Sequence, residues 1–115
     1  MTDFKTGDVF LVDFDPSVGH EYKKIRPGVV IQSEKTIKGS ALITIMPITS
    51  QVSNCQKEDI KIKKSAANGL YADSLVKVVC IHSFDRKIFL KKIGDMPEEV
   101  MAKIGSYLCV HFNIK

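Results

Sequence analysis

The chain has 115 residues, of which 44% are hydrophobic and 26% charged, the composition of a single soluble globular domain covering residues 1–115. Its 17 lysines and arginines against 13 acidic residues give a formal charge of +4, which suits an anionic partner without selecting one. No apolar run approaches the roughly 20 residues that span a bilayer, and no apolar signal core opens the chain, so we expect a cytoplasmic protein without a membrane segment.

Short apolar runs separated by turn residues predict a series of strands. Residues 9–14 are rich in β-forming side chains and predict the first strand, and residues 28–31 begin the second. Residues 33–40 predict a hairpin connection. Residues 41–46 predict a third strand, which Pro47 stops because proline cannot donate a hydrogen bond to a ladder.

The second half of the chain predicts further strands and one helix. Residues 59–63 alternate apolar and basic side chains, which indicates a strand with one solvated face, and residues 75–81 predict a buried fifth strand. We expect a helical turn at 83–85, a short strand at 87–94, and a C-terminal helix capped by Asp95. Short strands followed by a helix predict a mainly β fold, either a small barrel or a strongly bent antiparallel sheet with a C-terminal helix.

The loop predicted between the first two strands, residues 19–27, is dense in ionisable groups. It contains His20, Glu21, Lys23, Lys24 and Arg26. This density is typical of an anion-binding loop, although a solvated surface loop has the same composition. The chain has no P-loop, dinucleotide fingerprint, H-E-x-x-H or G-x-S-x-G motif, so we expect no cofactor and no metal.

Five short motifs follow one another along the chain. They are Gly7-Asp8-Val9, Asp15-Pro16, Gly19-His20-Glu21, Arg26-Pro27 and Pro47-Ile48-Thr49-Ser50. Residues 69–70, 74–77 and 93–94 continue the pattern. In this order and over nearly the whole chain, the motifs resemble the MazF/PemK family of bacterial toxin endoribonucleases, the mRNA interferases of type II toxin–antitoxin systems.

The resemblance implies an SH3-like barrel with a C-terminal helix, assembled as a homodimer. It implies sequence-specific, metal-independent cleavage of single-stranded RNA by attack of a 2′-hydroxyl, which leaves a 2′,3′-cyclic phosphate and a 5′-hydroxyl. It also implies a cognate antitoxin with an acidic segment, which inhibits the toxin by covering the RNA groove.

The resemblance also assigns residues to the site. Arg26 matches the family's catalytic arginine, whose planar fork suits phosphate oxygens, and Thr49 matches its catalytic threonine. Glu21 matches the family's acidic loop residue, and His20 titrates near neutrality, so which of the two accepts the 2′-proton is open. The RNA-binding residues that we expect are Lys23, Lys24, Ser50, Gln51 and Lys77.

Two departures from the family pattern keep alternatives open. Many members carry an arginine on the fifth strand and an acidic residue two positions later, where this chain has Lys77 and Val79. One alternative is therefore a degenerate member that binds RNA or an antitoxin without cutting. Another is a CcdB-like poison of DNA gyrase, a non-catalytic class with a related fold, which would depend on residues such as Phe112 and Ile114.

Overall fold

The computed structural model describes residues 3–14 and 25–115. Within these ranges the chain forms seven strands, a one-turn helix and a C-terminal helix, together with short 3₁₀ turns at Val52–Asn54 and Arg86–Ile88. The order is β1 Asp8–Asp13, β2 Ile25–Val30, α1 Glu34–Ile37, β3 Leu42–Thr49, β4 Ile60–Ile62, β5 Ser74–Val76, β6 His82–Asp85, β7 Phe89–Asp95 and α2 Glu98–His111. The predicted fold class, mainly β with a C-terminal helix, is confirmed.

All strand pairs are antiparallel and form one bent sheet in the order β4-β5-β3-β2-β1-β7, with β6 also paired to β3. The register between β1 and β7 shifts after Val9 and again after Leu11. Such irregularities increase the local twist and bend a sheet. Across the described residues β4 and β7 remain the two ends of the pairing path, so the structure is an open, bent sheet rather than a closed barrel.

The strongly bent sheet has an apolar cluster on each face. On one face, Val100 and Ile104 of α2 belong to one buried cluster with Val9, Val29 and Met46 of the strands. On the other face lie Phe10, Val12, Val30, Ile43 and Ile45, covered by the N-terminal Phe4 and by Ile37 of α1. Alternation of side chains along each strand produces these two faces.

Strands β2 and β3 are longer than the sequence predicts, and this changes the setting of the site. Strand β2 begins at Ile25, so Arg26 lies within a strand and not in the preceding loop. Strand β3 continues through Pro47 to Thr49. It tolerates the proline because, on the edge where position 47 would donate, β3 pairs with β6 up to Ile45 and with β5 only from Ile48.

Three predicted local structures are wrong, each for a local reason. Residues 33–40 contain α1, which begins because the Ser33 hydroxyl accepts a hydrogen bond from the backbone N–H of Lys35 at 3.3 Å. The predicted fifth strand ends at Val76 because the chain turns, with Cys80 N–H donating to the Lys77 carbonyl at 2.9 Å. Residues 83–85, predicted as a helical turn, belong to β6, whose tertiary pairing with β3 overrides local preference.

The N-cap of the C-terminal helix α2 lies two residues later than predicted, at Pro97 and not at Asp95. Asp95 is the last residue of β7, and Pro97 occupies the N-cap position of Glu98–His111 without a side-chain capping bond. Glu98 and Glu99 lie in the first turn, where carboxylates interact favourably with the helix dipole. No helix in residues 3–14 and 25–115 is long and apolar enough to cross a membrane.

Candidate active site

Arg26 and Thr49, the two predicted catalytic residues, lie at the ends of adjacent antiparallel strands. Strands β2 and β3 pair with Gly28 opposite Pro47 and Val29 opposite Met46. The ladder ends at the Gly28–Pro47 pair, and Arg26 and Thr49 each lie two residues beyond this pair, at the same end of the two strands. The fold therefore places at one end of a strand pair two residues that lie 23 positions apart in the sequence.

The backbone around this pair is fixed on both sides. Arg26 is opposite Val12 of β1, and Thr49 is opposite Leu75 of β5. Arg26 is exposed and Thr49 is partly buried. The guanidinium is thus presented to solvent from a strand that is hydrogen-bonded to its neighbours, which limits the loss of backbone entropy when an anion binds.

The turn after β3 orients the predicted polar residues. The Thr49 hydroxyl oxygen accepts a hydrogen bond from the backbone N–H of Gln51 at 3.2 Å. A hydroxyl has one proton to donate as well as lone pairs to accept, so this bond leaves the Thr49 proton available for a phosphate oxygen. The Ser50 hydroxyl lies 3.2 Å from the hydroxyl of Tyr71, and Gln51 is exposed.

A cavity of about 230 Å³ opens beside the strand ends. Arg26 and Ser50 line it. An apolar floor and the loop before β5 form the rest of the lining, which consists of Leu11, Ile25, Pro27, Ile48, Gly69, Leu70, Tyr71, Ser74 and Ile93. This volume is below the roughly 300–1,000 Å³ of sites for drug-sized ligands, so the cavity suits one small group. Alternation assigns Thr49 to the face of Pro47 and Ile45, away from most of this lining.

Lys77, predicted to bind RNA, is paired within the protein. Its ammonium lies 2.5 Å from Oδ2 of Asp59, and the exposed fractions of the two side chains are 23% and 1%. Asp59 Oδ2 also accepts from the backbone N–H of Gln56 at 2.8 Å. Oδ1 of Asp59 is buried and has no hydrogen-bond partner in the described part of the chain. The charge of Lys77 is therefore largely opposed by a buried carboxylate.

A second groove continues from the first and is basic. It has a volume of about 420 Å³, and Lys61 and Lys63 line it together with Val52 and Asp73. Ser74 lines both grooves, so they adjoin at the start of β5. A basic groove that leads away from Arg26 can attract a phosphate backbone without reading its sequence.

Four predicted site residues, His20, Glu21, Lys23 and Lys24, lie outside the described residues. Val79, one of the two positions that depart from the family pattern, is 50% exposed. Among residues 3–14 and 25–115, no cluster of three or more histidine, cysteine or acidic side chains is arranged to hold a metal ion.

Tyr71 and Asp59 are not among the site residues predicted from the sequence. Tyr71 lines the cavity with 79% of its surface exposed. An aromatic residue placed shortly after the Asn68-Gly69 turn was the available signal, because such turns present side chains at a surface. Asp59 gave no signal, since its partner Lys77 is 18 residues away and only the pairing of β4 with β5 brings the two together.

The arrangement is that of a known class of small β proteins. The chain superposes on MazF in a MazE–MazF complex from Deinococcus radiodurans with a TM-score of 0.77 and 21% identity, covering 98% of this chain and 100% of the other. At this identity the likeness shows a common fold.

Sequence comparison defines the family. The chain is 28% identical over 104 residues to the endoribonuclease EndoA of Bacillus subtilis, covering 90% of each protein. It is 25% identical over 115 residues to the endoribonuclease MazF9 of Mycobacterium tuberculosis, covering 96% of this chain and 97% of the relative. Residues 5–112 match the family model of PemK-like, MazF-like toxins of type II toxin–antitoxin systems, and the chain belongs to this family.

Proposed function

We propose that the protein is a sequence-specific endoribonuclease that cleaves single-stranded RNA without a metal ion. The observation that supports the proposal is the antiparallel pairing of β2 with β3, whose adjacent strand ends carry the exposed Arg26 and the partly buried Thr49. The family supports it, and so do the two curated relatives, both named endoribonucleases.

The proposed reaction is an attack of a ribose 2′-oxygen on the adjacent phosphorus. The 2′-oxygen loses its proton to a base and forms a bond to phosphorus, while the bond to the 5′-oxygen of the next nucleotide breaks and that oxygen takes up a proton. The products are a 2′,3′-cyclic phosphate and a 5′-hydroxyl. Glu21 and His20 are the two candidates for the base in this proposal.

Arg26 and Thr49 act on the charge that develops during this step. The guanidinium of Arg26 remains protonated at any working pH and binds two phosphate oxygens through its planar fork. The Thr49 hydroxyl donates its proton to a phosphate oxygen while its oxygen accepts from Gln51 N–H. Donors that are held in place before the reaction stabilise the pentavalent phosphorane without reorganisation.

The rest of the predicted site binds RNA in this proposal. Lys23, Lys24, Ser50 and Gln51 contact nucleotides on either side of the scissile phosphate. Lys77 adds charge through the part of its side chain that is exposed, opposed by Asp59. The cognate partner is an acidic antitoxin segment that competes with RNA, and the toxin acts in the cytoplasm as a homodimer of single-domain chains.

Cleavage of end-labelled single-stranded RNAs in EDTA tests the proposal. Wild type should cut at a defined short sequence, and mapping of the 5′ ends identifies that sequence. Arg26→Ala and Thr49→Ala should each slow cleavage by about 10²–10³-fold, the cost of removing one donor to an oxyanion. Lys35→Ala is the control, because Lys35 is exposed on α1 and lines neither groove. A wild-type protein that is inert on diverse RNAs, or an Arg26→Ala variant as fast as wild type, refutes the proposal.

The non-catalytic alternative, a gyrase poison, has one observation in its favour. Phe112 and Ile114, on which it would depend, are 56% and 59% exposed at the end of α2 and thus available to a protein partner. Expression of Arg26→Ala in growing cells separates the two functions. Growth should resume if the protein is a nuclease, whereas persistent arrest that Phe112→Asp abolishes would assign the activity to this end of the helix.

A further inference from the structure

We propose that Tyr71 is a stacking platform for one unpaired base of the RNA substrate, next to the scissile phosphate. This inference rests on the proposed nuclease function and adds a base-binding residue to it. Tyr71 lines the cavity shared with Arg26 and Ser50, and 79% of its surface is exposed. An aromatic ring this open makes few contacts within the protein, so both the ring and the cavity beside it are available to a ligand.

The segment that carries Tyr71 is anchored on both sides. Before it, Gly69 adopts a φ of +69°, and a Cβ at this position would overlap the carbonyl oxygen of Ile93 in β7. Leu70 is buried, and its N–H donates to Oδ1 of the buried Asn68 at 3.0 Å. After it, Asp73 accepts from the backbone N–H of Lys64 at 2.9 Å. The tyrosine therefore projects from a fixed backbone and not from a free loop.

The tyrosine hydroxyl links the ring to the predicted catalytic turn. It lies 3.2 Å from the Ser50 hydroxyl, and Ser50 directly follows Thr49. This contact limits the rotation of a side chain that has only two torsions, so little conformational entropy remains to be lost on binding. The ring is thus held at a defined position relative to the phosphate that Arg26 and Thr49 would bind.

The surroundings of the ring fit a single strand of nucleic acid. Proteins that bind single strands combine a basic groove that follows the phosphates with aromatic rings that stack on the bases. Here the basic groove of Lys61 and Lys63 adjoins the Tyr71 cavity at Ser74. The cavity of about 230 Å³ has an apolar floor and accepts one base. A base in a double helix cannot stack in this way, so the platform also favours unpaired RNA.

The test measures binding of an RNA that contains the mapped cleavage sequence, with a 2′-deoxy scissile nucleotide so that it is not cut. Tyr71→Ala should weaken binding about 5- to 150-fold, the range for loss of one stacked base. Tyr71→Phe keeps the ring and loses only the contact with Ser50, so its affinity should lie between that of wild type and that of Tyr71→Ala. Leu42→Ala is the matched control, because Leu42 is also an exposed apolar side chain but lies at the opposite end of β3 from Thr49.

A series of RNAs with one abasic nucleotide at each position identifies the stacked base. Wild type should lose affinity at one position near the scissile phosphate, and Tyr71→Ala should be insensitive to the abasic change at that same position. A purely structural role of the tyrosine would not produce this coupling. Thermal unfolding of both Tyr71 variants should match wild type, because the side chain is exposed.

Four results overturn the inference. The first is that Tyr71→Ala binds RNA as tightly as wild type, and the second is that Tyr71→Phe binds as weakly as Tyr71→Ala. The third is that the affinity losses from abasic nucleotides add to the loss from Tyr71→Ala at every position. The fourth is that Tyr71→Ala weakens binding of an acidic antitoxin peptide but not of RNA. If wild type cuts RNA and Tyr71→Ala cuts equally well, only the stacking role fails. If wild type cuts no RNA, the proposed nuclease function fails and the stacking role fails with it.

Discussion

The pair formed by Asp59 and Lys77 should contribute more to the stability of the fold than a surface ion pair does. The ammonium and the carboxylate are 2.5 Å apart, and the Asp59 side chain is only 1% exposed. At an effective dielectric constant of about 20, the attraction at this separation is roughly 6–7 kcal/mol, and removing the carboxylate from water offsets much of it. Lys77→Met should therefore cost about 3–5 kcal/mol, since it leaves a buried charge unpaired.

The opposite substitution should cost less. In Asp59→Asn the lysine that loses its partner is 23% exposed and can be solvated, so we expect about 1–3 kcal/mol. In the double variant no buried carboxylate remains, and Lys77→Met should then cost far less than in wild type. Urea unfolding followed by circular dichroism gives the three free energies and, by difference, a coupling energy.

The reasoning fails if Lys77→Met costs less than about 1 kcal/mol, the range of exposed ion pairs, or if the two single effects add. The same variants test the proposed RNA contact. Asp59→Asn removes the charge that opposes Lys77, so RNA should bind more tightly and with a steeper dependence on salt. Unchanged RNA affinity in Asp59→Asn would show that Lys77 has a structural role only.

Three further predictions concern the scaffold. Gly69→Ala should destabilise the protein by more than Gly39→Ala. Both glycines have positive φ, so an alanine at either position costs about 1–3 kcal/mol of backbone strain, but only at Gly69 does the new methyl group also overlap backbone. Equal unfolding midpoints would contradict this. Ile104→Ala should cost about 2–5 kcal/mol in urea unfolding, against less than about 0.5 kcal/mol for the exposed Lys103→Ala, because Ile104 is 1% exposed between α2 and the sheet. Hydrogen bonds to Asp95 and Asp8 raise the pKa of Lys92 above its ordinary value of 10.5. The contribution of Lys92 to stability is therefore complete below that value and is lost as pH rises through the higher folded-state pKa. Lys92→Met should reduce the alkaline loss of stability, and a pH profile identical to that of wild type would contradict the assignment.

The family could be predicted from sequence because its motifs stand in the shared order, whereas the roles of the site residues stay predictions. The strand positions of these residues could not be predicted. Arg26 precedes a proline, which suggests a loop boundary, yet it pairs with Val12 in the middle of a sheet. What decides this is the pairing of β2 with both β1 and β3, a set of contacts between residues distant in sequence.

Exposure and ion pairing were equally beyond the reach of sequence patterns. Lys77 is a residue type that often contacts phosphates. Only the pairing of β4 with β5 shows that a buried Asp59 opposes its charge. Tyr71 is an aromatic residue of a type that often packs in a core. Only the structure, in which its segment is anchored at Gly69, shows that its ring is exposed to solvent. In both cases the identity of the side chain was known and its neighbours were not.

Pro47 explains how one strand can present Thr49 while serving three partners. In an antiparallel strand the N–H and C=O of a residue point to the same side, and the Pro47 carbonyl accepts from the Lys77 N–H at 2.9 Å, on the side of β5. On that side β3 changes partner, from β6 at Ile45 to β5 at Ile48, so the missing donor of proline falls in the gap between two ladders. A donor at this position would favour continued pairing with one partner. The proline therefore favours a divided sheet, in which β3 pairs with β2 along one edge up to Pro47 and carries Thr49 to its end beside Leu75 of β5 along the other.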